Sequence, residues 1–128
     1  LSPKKMKDMA SNARNDFEIK STGIMQTLNH LSGGNKQKVN LGRWMIKDLK
    51  VLVLDCPTRG VDVGVKSYIY NLMKEAKKEG LAMILITDEL PEAIGMADNI
   101  AVIRNGKLVR IINRSEGFSE ESIIEVMI

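Results

Sequence analysis

Two places in this chain hold residue types suited to a charged ligand. The first is Ser32-Gly33-Gly34, just before a stretch with helical apolar spacing. Backbone N–H groups at a helix start lack intrahelical acceptors, and the helix dipole puts partial positive charge there. With no Cβ at 33 and 34, an anion can approach those amides closely. Ser32 adds a hydroxyl, either as the helix N-cap or as a further donor to the ligand. The second place is Asp55, which closes the apolar run Val51-Leu52-Val53-Leu54. Helix, buried strand, then a carboxylate at the strand's C-terminal end is the layout of a phosphate-handling site in an α/β sheet. A Ser-Gly-Gly helix start also occurs in plain turns, so the tripeptide takes its meaning from its surroundings.

Other candidates weigh less. Cys56, the single cysteine, reads as a small buried apolar residue, because an ordinary thiol stays mostly protonated near neutral pH. His30 is the only histidine and has no Cys or His neighbour, which favours a structural role. Asp88, Glu89 and Glu92 could be grouped as metal ligands, but solvation and charge at a helix start explain them better.

The elements that must position these residues can be read in order. Ser2 and Pro3 are an N-cap and a first helical residue, and the helix runs to about Arg14 with Lys4, Lys5 and Lys7 on a solvated face. Phe17 and Ile19 anchor a connection. Ile24, Met25 and Leu28 have helical spacing within residues 21–30. The helix after Gly34 turns Val39, Gly42, Met45, Ile46 and Leu49 inward. A helix over 65–79 carries the stripe Ile69, Leu72, Met73 and Ala76, with Gly80 as its C-cap. Residues 82–87 form a second buried strand, so strand–helix–strand makes a right-handed βαβ unit with a parallel pair. A short helix spans 91–97. Strands 100–103 and 108–112 meet across Asn105-Gly106, a strong hairpin signal. Ser119, Glu120 and Glu121 cap a final helix ending near Met127.

Composition narrows the classes. At 128 residues the chain is one domain at most, with 44% hydrophobic and 27% charged residues, ordinary values for a globular chain. A net charge of +3 is too mild to demand nucleic acid. One cysteine makes no internal disulfide, which suits a reducing compartment. No apolar run approaches the ~20 residues of a membrane-spanning helix, and there is no secretory signal.

With its followers, the glycine turn becomes specific. Leu31-Ser32-Gly33-Gly34-Asn35-Lys36-Gln37-Lys38-Val39 resembles the signature motif of ATP-binding cassette (ABC) proteins. Val51-Leu52-Val53-Leu54-Asp55 resembles their Walker B strand, and Pro57-Thr58-Arg59-Gly60-Val61-Asp62 the D-loop that follows it. The wording is most similar to the second cassette of bacterial sugar importers of the ribose/galactose type, and nearly the whole chain takes part.

The resemblance implies a partial P-loop NTPase fold of α/β class. It has a mostly parallel sheet fragment, a helical subdomain and a C-terminal β-hairpin. Residues 1–49 would belong to the signature subdomain and 50–128 to the ATPase core. The phosphate-wrapping string G-x-x-x-x-G-K-[ST] is absent; Gly60 to Lys66 has the wrong spacing and lacks the final hydroxyl. The family places that P-loop upstream, on a strand between those at 82–87 and 100–103, so the chain is expected to be the C-terminal half of a cassette, inactive alone.

By resemblance, ATP and Mg²⁺ are the cofactors of the full-length protein. Two cassettes face head to tail, and each ATP is held by the P-loop and Walker B of one and the signature of the other. Leu31, Ser32, Gly33, Gly34, Asn35 and Gln37 would then meet ATP held by the first cassette, together with Asp62 of the D-loop. Asp55 would hold Mg²⁺ through water. Two positions depart from the family pattern: Cys56 stands where Glu usually positions water, and Asp88 stands at the switch histidine. The implied partners are the first cassette of the same chain, membrane permease subunits received by the helical subdomain and, indirectly, a periplasmic or extracellular sugar-binding protein. The implied place is the cytoplasmic face of a bacterial membrane. Sheet strands left without neighbours would favour self-association. Competing readings are a catalytically idle regulatory module, a nucleoside importer, and a non-transport ABC protein acting on ribosomes or DNA.

Overall fold

A computed structural model describes residues 2–128. The chain forms two compact units, one comprising residues up to 52 with 57–83, the other 53–56 with 84–128.

The first unit contains α1 (Pro3–Asp16), α2 (Gly33–Met45) and α3 (Val63–Lys78). The Ser2 side chain accepts from Lys5 N–H at 3.3 Å with Pro3 at the first helical position, as the sequence requires. α1 runs slightly past Arg14 and ends at Phe17, whose N–H reaches the Ala13 carbonyl. Phe17 is buried, and Gly42 of α2 faces its ring so closely that a Cβ there would lie 2.8 Å from it. Leu41 joins Gly42 inside, while Ile46, assigned to the core by its spacing, is half exposed because α2 ends at Met45. α1 and α2 enclose an apolar groove lined by Met9, Ala13, Phe17, Ile19, Val39 and Ile46. α3 buries Ile69, Met73 and Ala76, three of its four predicted stripe residues.

Residues 21–30 correct the helical expectation. Only Leu28–His30 forms a short 3₁₀ turn, and Met25 lies 82% exposed. Local polar bonds set this path: the Gln26 side chain accepts from Thr22 N–H at 2.7 Å and donates to the His30 carbonyl at 3.0 Å. His30 contacts the Thr27 hydroxyl through Nδ1.

Strands β1 (Val51–Asp55) and β2 (Ala82–Ile86) pair side by side. Ala82 N–H donates to the Lys50 carbonyl and Cys56 N–H to the Ile86 carbonyl, so both strands advance in the same direction. The sequence suggested burial on both faces. Instead burial alternates along β1: Leu52 and Leu54 are inside, whereas Val51 and Val53, with Ile84 and Ile86 of β2, are about half exposed. The described residues cover one face of this pair only.

The second unit contains α4 (Leu90–Met96), β3 (Asn99–Arg104), β4 (Lys107–Asn113) and α5 (Glu120–Met127). β3 and β4 are antiparallel, with Ile100 opposite Ile112 and Arg104 opposite Lys107. Asn105 and Gly106 take φ of 51° and 72°, the left-handed pair that a two-residue hairpin turn needs. Ile100, Val102, Ile112 and Ile123 form the core, flanked by Leu90, Ile94, Phe118 and Val126. Each such aliphatic side chain contributes on the order of 1.5–3 kcal/mol by burial. Arg114 reaches back to the carbonyls of Ile94 and Ala97 at 2.8 and 2.9 Å, closing the C-terminus of α4. Ser119 caps α5 by accepting from Ser122 N–H.

The expected α/β class, with a small parallel pair, helices and a C-terminal hairpin, is present. Among the described residues, β3–β4 is a separate sheet from β1–β2.

Candidate functional site: an amide turn tied to the loop after β1

Ser32 is the N-cap of α2, in extended conformation with φ −62° and ψ 157°. Its Oγ accepts from Asn35 N–H at 3.3 Å and from Asn35 Nδ2 at 2.9 Å. Both contacts use hydroxyl lone pairs, so the hydroxyl proton is left to donate. The sequence posed capping and ligand donation as alternatives; the geometry permits both. Asn35 N–H is engaged by this cap and Lys36 N–H by the Ser32 carbonyl at 2.9 Å. The outward amides of the turn are those of Gly33 and Gly34. Ser32 and Gly33 are exposed, and nothing lies within 4 Å of where a Gly33 Cβ would stand. This is an open, electropositive turn.

The other members of the motif face inward or sideways. Leu31 is buried. Asn35 Oδ1 accepts from Lys20 N–H at 2.8 Å and fixes the preceding connection. Gly34 is seated against α3, since a Cβ there would fall 2.6 Å from Val65 Cγ2. Gln37 Nε2 donates to the Pro57 carbonyl at 2.6 Å. Lys38 Nζ bonds the Glu18 carbonyl at 3.1 Å and sits 3.9 Å from the Tyr68 ring centre. Burial, helped by the Glu18 charge, pushes the Tyr68 phenol above its usual pKa. Asp62 caps α3 by accepting from Val65 N–H at 2.9 Å. Sequence reasoning missed the Val65, Pro57 and Tyr68 contacts, because each joins residues distant along the chain.

The second unit holds Asp55, Cys56 and Asp88. Asp55 is exposed at the end of β1, and Asp88 is exposed just after β2. Cys56 is half-buried with φ 45°, a left-handed backbone uncommon outside glycine. Among the described residues, no three His, Cys, Asp or Glu side chains are grouped to hold a metal ion by themselves. One exposed carboxylate suits Mg²⁺, which keeps several waters and takes further oxygens from phosphate.

Residues 2–59 match the family model described as ABC transporter. A ribose import ATP-binding protein of Halalkalibacterium halodurans is 42% identical over 97% of this chain. The chain belongs to the ABC family. An arabinose import ATP-binding protein of Mannheimia succiniciproducens is also 42% identical, over 94% of the chain. The chain spans about a quarter of these relatives' length, 25% and 24% respectively. A solved ATP-binding cassette of an ABC transporter, 25% identical, superposes with a TM-score of 0.78 over 100% of this chain and 53% of that one. The first unit carries Ser32-Gly33-Gly34 and residues 57–62, and the second carries Asp55, Cys56 and Asp88. Among the described residues, no helix is long and apolar enough to cross a membrane.

Proposed function

We propose that this chain is the C-terminal part of a second nucleotide-binding cassette in a bacterial sugar importer, powering uptake through ATP binding and hydrolysis at composite sites. The observation that carries this reading is the open Ser32-Gly33-Gly34 turn, in a chain whose relatives are ribose and arabinose import ATP-binding proteins. In this reading residues 1–49 serve as the signature part and 50–128 as the core part. Mg-ATP, when bound, supplies the phosphoanhydride whose hydrolysis drives transport.

The residues present fit that ligand. The Ser32 hydroxyl and the Gly33 and Gly34 amides donate to phosphate oxygens of a nucleotide held by the first cassette, favouring negative charge where it develops. Asp55 holds the cation through water. Cys56 offers no carboxylate to position a nucleophilic water, and Asp88 stands where the family's histidine would meet phosphate. The site using this chain's signature therefore turns over, and the site using its Walker B end hydrolyses slowly. The helical part that contains α1 and α2 receives a segment of a membrane permease at the cytoplasmic face of the membrane, and the apolar groove between these helices supports that reading. A periplasmic or extracellular binding protein is an indirect partner. Alone, the chain self-associates through its open sheet surfaces.

The test is reconstitution of the full-length protein with its permease in vesicles. Sugar uptake dependent on ATP supports the reading. ATP turnover coupled to RNA or DNA, or none with any permease, overturns it. Cys56 gives one reason to keep the idle-module reading as a rival, and that rival predicts ATP binding without turnover at either site.

A further inference from the structure

We infer that Gln37 is a positioning residue that locks the signature turn to the D-loop, so that both meet the nucleotide as one rigid block. The inference rests on the composite-site reading above and deepens it. It departs from the sequence expectation that Gln37 touches ATP. The Gln37 Nε2 is directed to the Pro57 carbonyl at 2.6 Å in a part-buried setting. Pro57 is fully buried and Thr58 is 1% exposed, so this stretch of loop has little access to water. Gln37 supplies the Pro57 carbonyl with a donor in that setting. A buried acceptor left without a partner is disfavoured, so this bond holds the loop in place.

Two further ties close the block. Gly34, in the turn itself, is seated on Val65 in the first turn of α3. Asp62, at the end of the D-loop, caps the same turn through Val65 N–H. Val61 N–H reaches back to the Thr58 carbonyl at 3.4 Å, and Gly60 takes φ 71°, bending the loop between these anchors. The start of α2, the start of α3 and the loop joining 57 to 62 thus share one hydrogen bond, one cap and one close packing contact. Gln37 is the one of these ties that runs from the signature helix to the loop backbone. Removing its donor frees the loop while Ser32, Gly33 and Gly34 keep their places, so it disturbs geometry in the reacting complex more than nucleotide capture.

The test uses the full-length protein. Gln37→Met keeps length and removes the donor. It should lower kcat for ATP about 10- to 100-fold, the scale of a misplacement near 1 Å, with KM within about twofold. Hydrogen exchange at residues 58–62 should speed up, while melting shows the fold intact. Gln37→Glu regains a donor when its carboxyl is protonated, so its activity relative to wild type should rise as pH falls, whereas that of Gln37→Met should not. Wild-type kcat and unchanged exchange at 58–62 in Gln37→Met overturn the inference. So does a raised KM with unchanged kcat, which would make Gln37 a ligand. If Ser32→Arg is inactive and Gln37→Met is normal, the composite site stands and only this inference falls. If Ser32→Arg is fully active, the composite-site reading falls, and the exchange at 58–62 still decides whether Gln37 ties the loop.

Discussion

At the scale of single residues, Ser32 and Cys56 carry opposite expectations. The Ser32 hydroxyl is held by Asn35 in an exposed turn whose glycines leave room for an anion. An arginine at 32 removes the cap and fills that room. Ser32→Arg in the full-length protein should therefore abolish most ATPase activity, as loss of a positioned donor typically costs 10²–10³-fold, roughly 3–4 kcal/mol. Cys56→Ala should change steady-state turnover less than about twofold, since a thiol is already a poor base. Steady-state phosphate release from both variants checks this; the reverse pattern would invert the roles of the two sites. The sequence made Ser32, Gly33 and Asp55 legible because their chemistry depends on near neighbours. It gave no hint that Gly34 is glycine partly to admit Val65, a residue on another helix.

At the scale of elements, the packing of α2 against the end of α1 turns on Gly42 under Phe17. A methyl at 42 gains about 1 kcal/mol of helix propensity relative to glycine. It would also meet the Phe17 ring at 2.8 Å, with ring carbons on the same side at 3.0 and 3.1 Å. Overpacking of this kind costs about 1–3 kcal/mol, so the clash wins. Gly42→Ala should lower stability by about 1 kcal/mol in denaturant unfolding, and Phe17→Leu should recover part of the loss in the double variant. A stabilised Gly42→Ala would show that α1 and α2 adjust freely. Caps and the Asn105-Gly106 hairpin were readable from sequence, since each is settled within four residues. Residues 21–30 were misread because Gln26 satisfies local backbone groups that a helix would otherwise pair.

At the scale of the whole molecule, the uncovered sheet surfaces and the missing phosphate loop lead to two expectations for the 128-residue chain alone. Val51, Val53, Ile84 and Ile86 expose one side of β1–β2, and Ile103, Leu108 and Ile111 expose apolar surface on the hairpin. Exposed apolar strands with open edges invite pairing with another chain. Light scattering should show mass rising with concentration, and a strict monomer over a hundredfold range would refute this. Titration calorimetry with Mg-ATP should give no micromolar one-to-one binding, because the sequence lacks the lysine-bearing loop that wraps phosphates. Such binding, if seen, would show that the turn and Asp55 suffice without it.

The sequence by itself determined the family, the α/β class, the glycine turn and the carboxylate that ends β1, since these follow from residue order, local periodicity and capping chemistry. Only the tertiary structure decided which members of the motif face outward. Gln37, Lys38 and Gly34 are spent on Pro57, Tyr68 and Val65, partners 20 or more residues away. It also decided that β1 is covered on one side. Val51-Leu52-Val53-Leu54 is apolar at every position, and such a run does not say which face has a neighbour. That depends on what packs there, and burial is a property of the assembled chain.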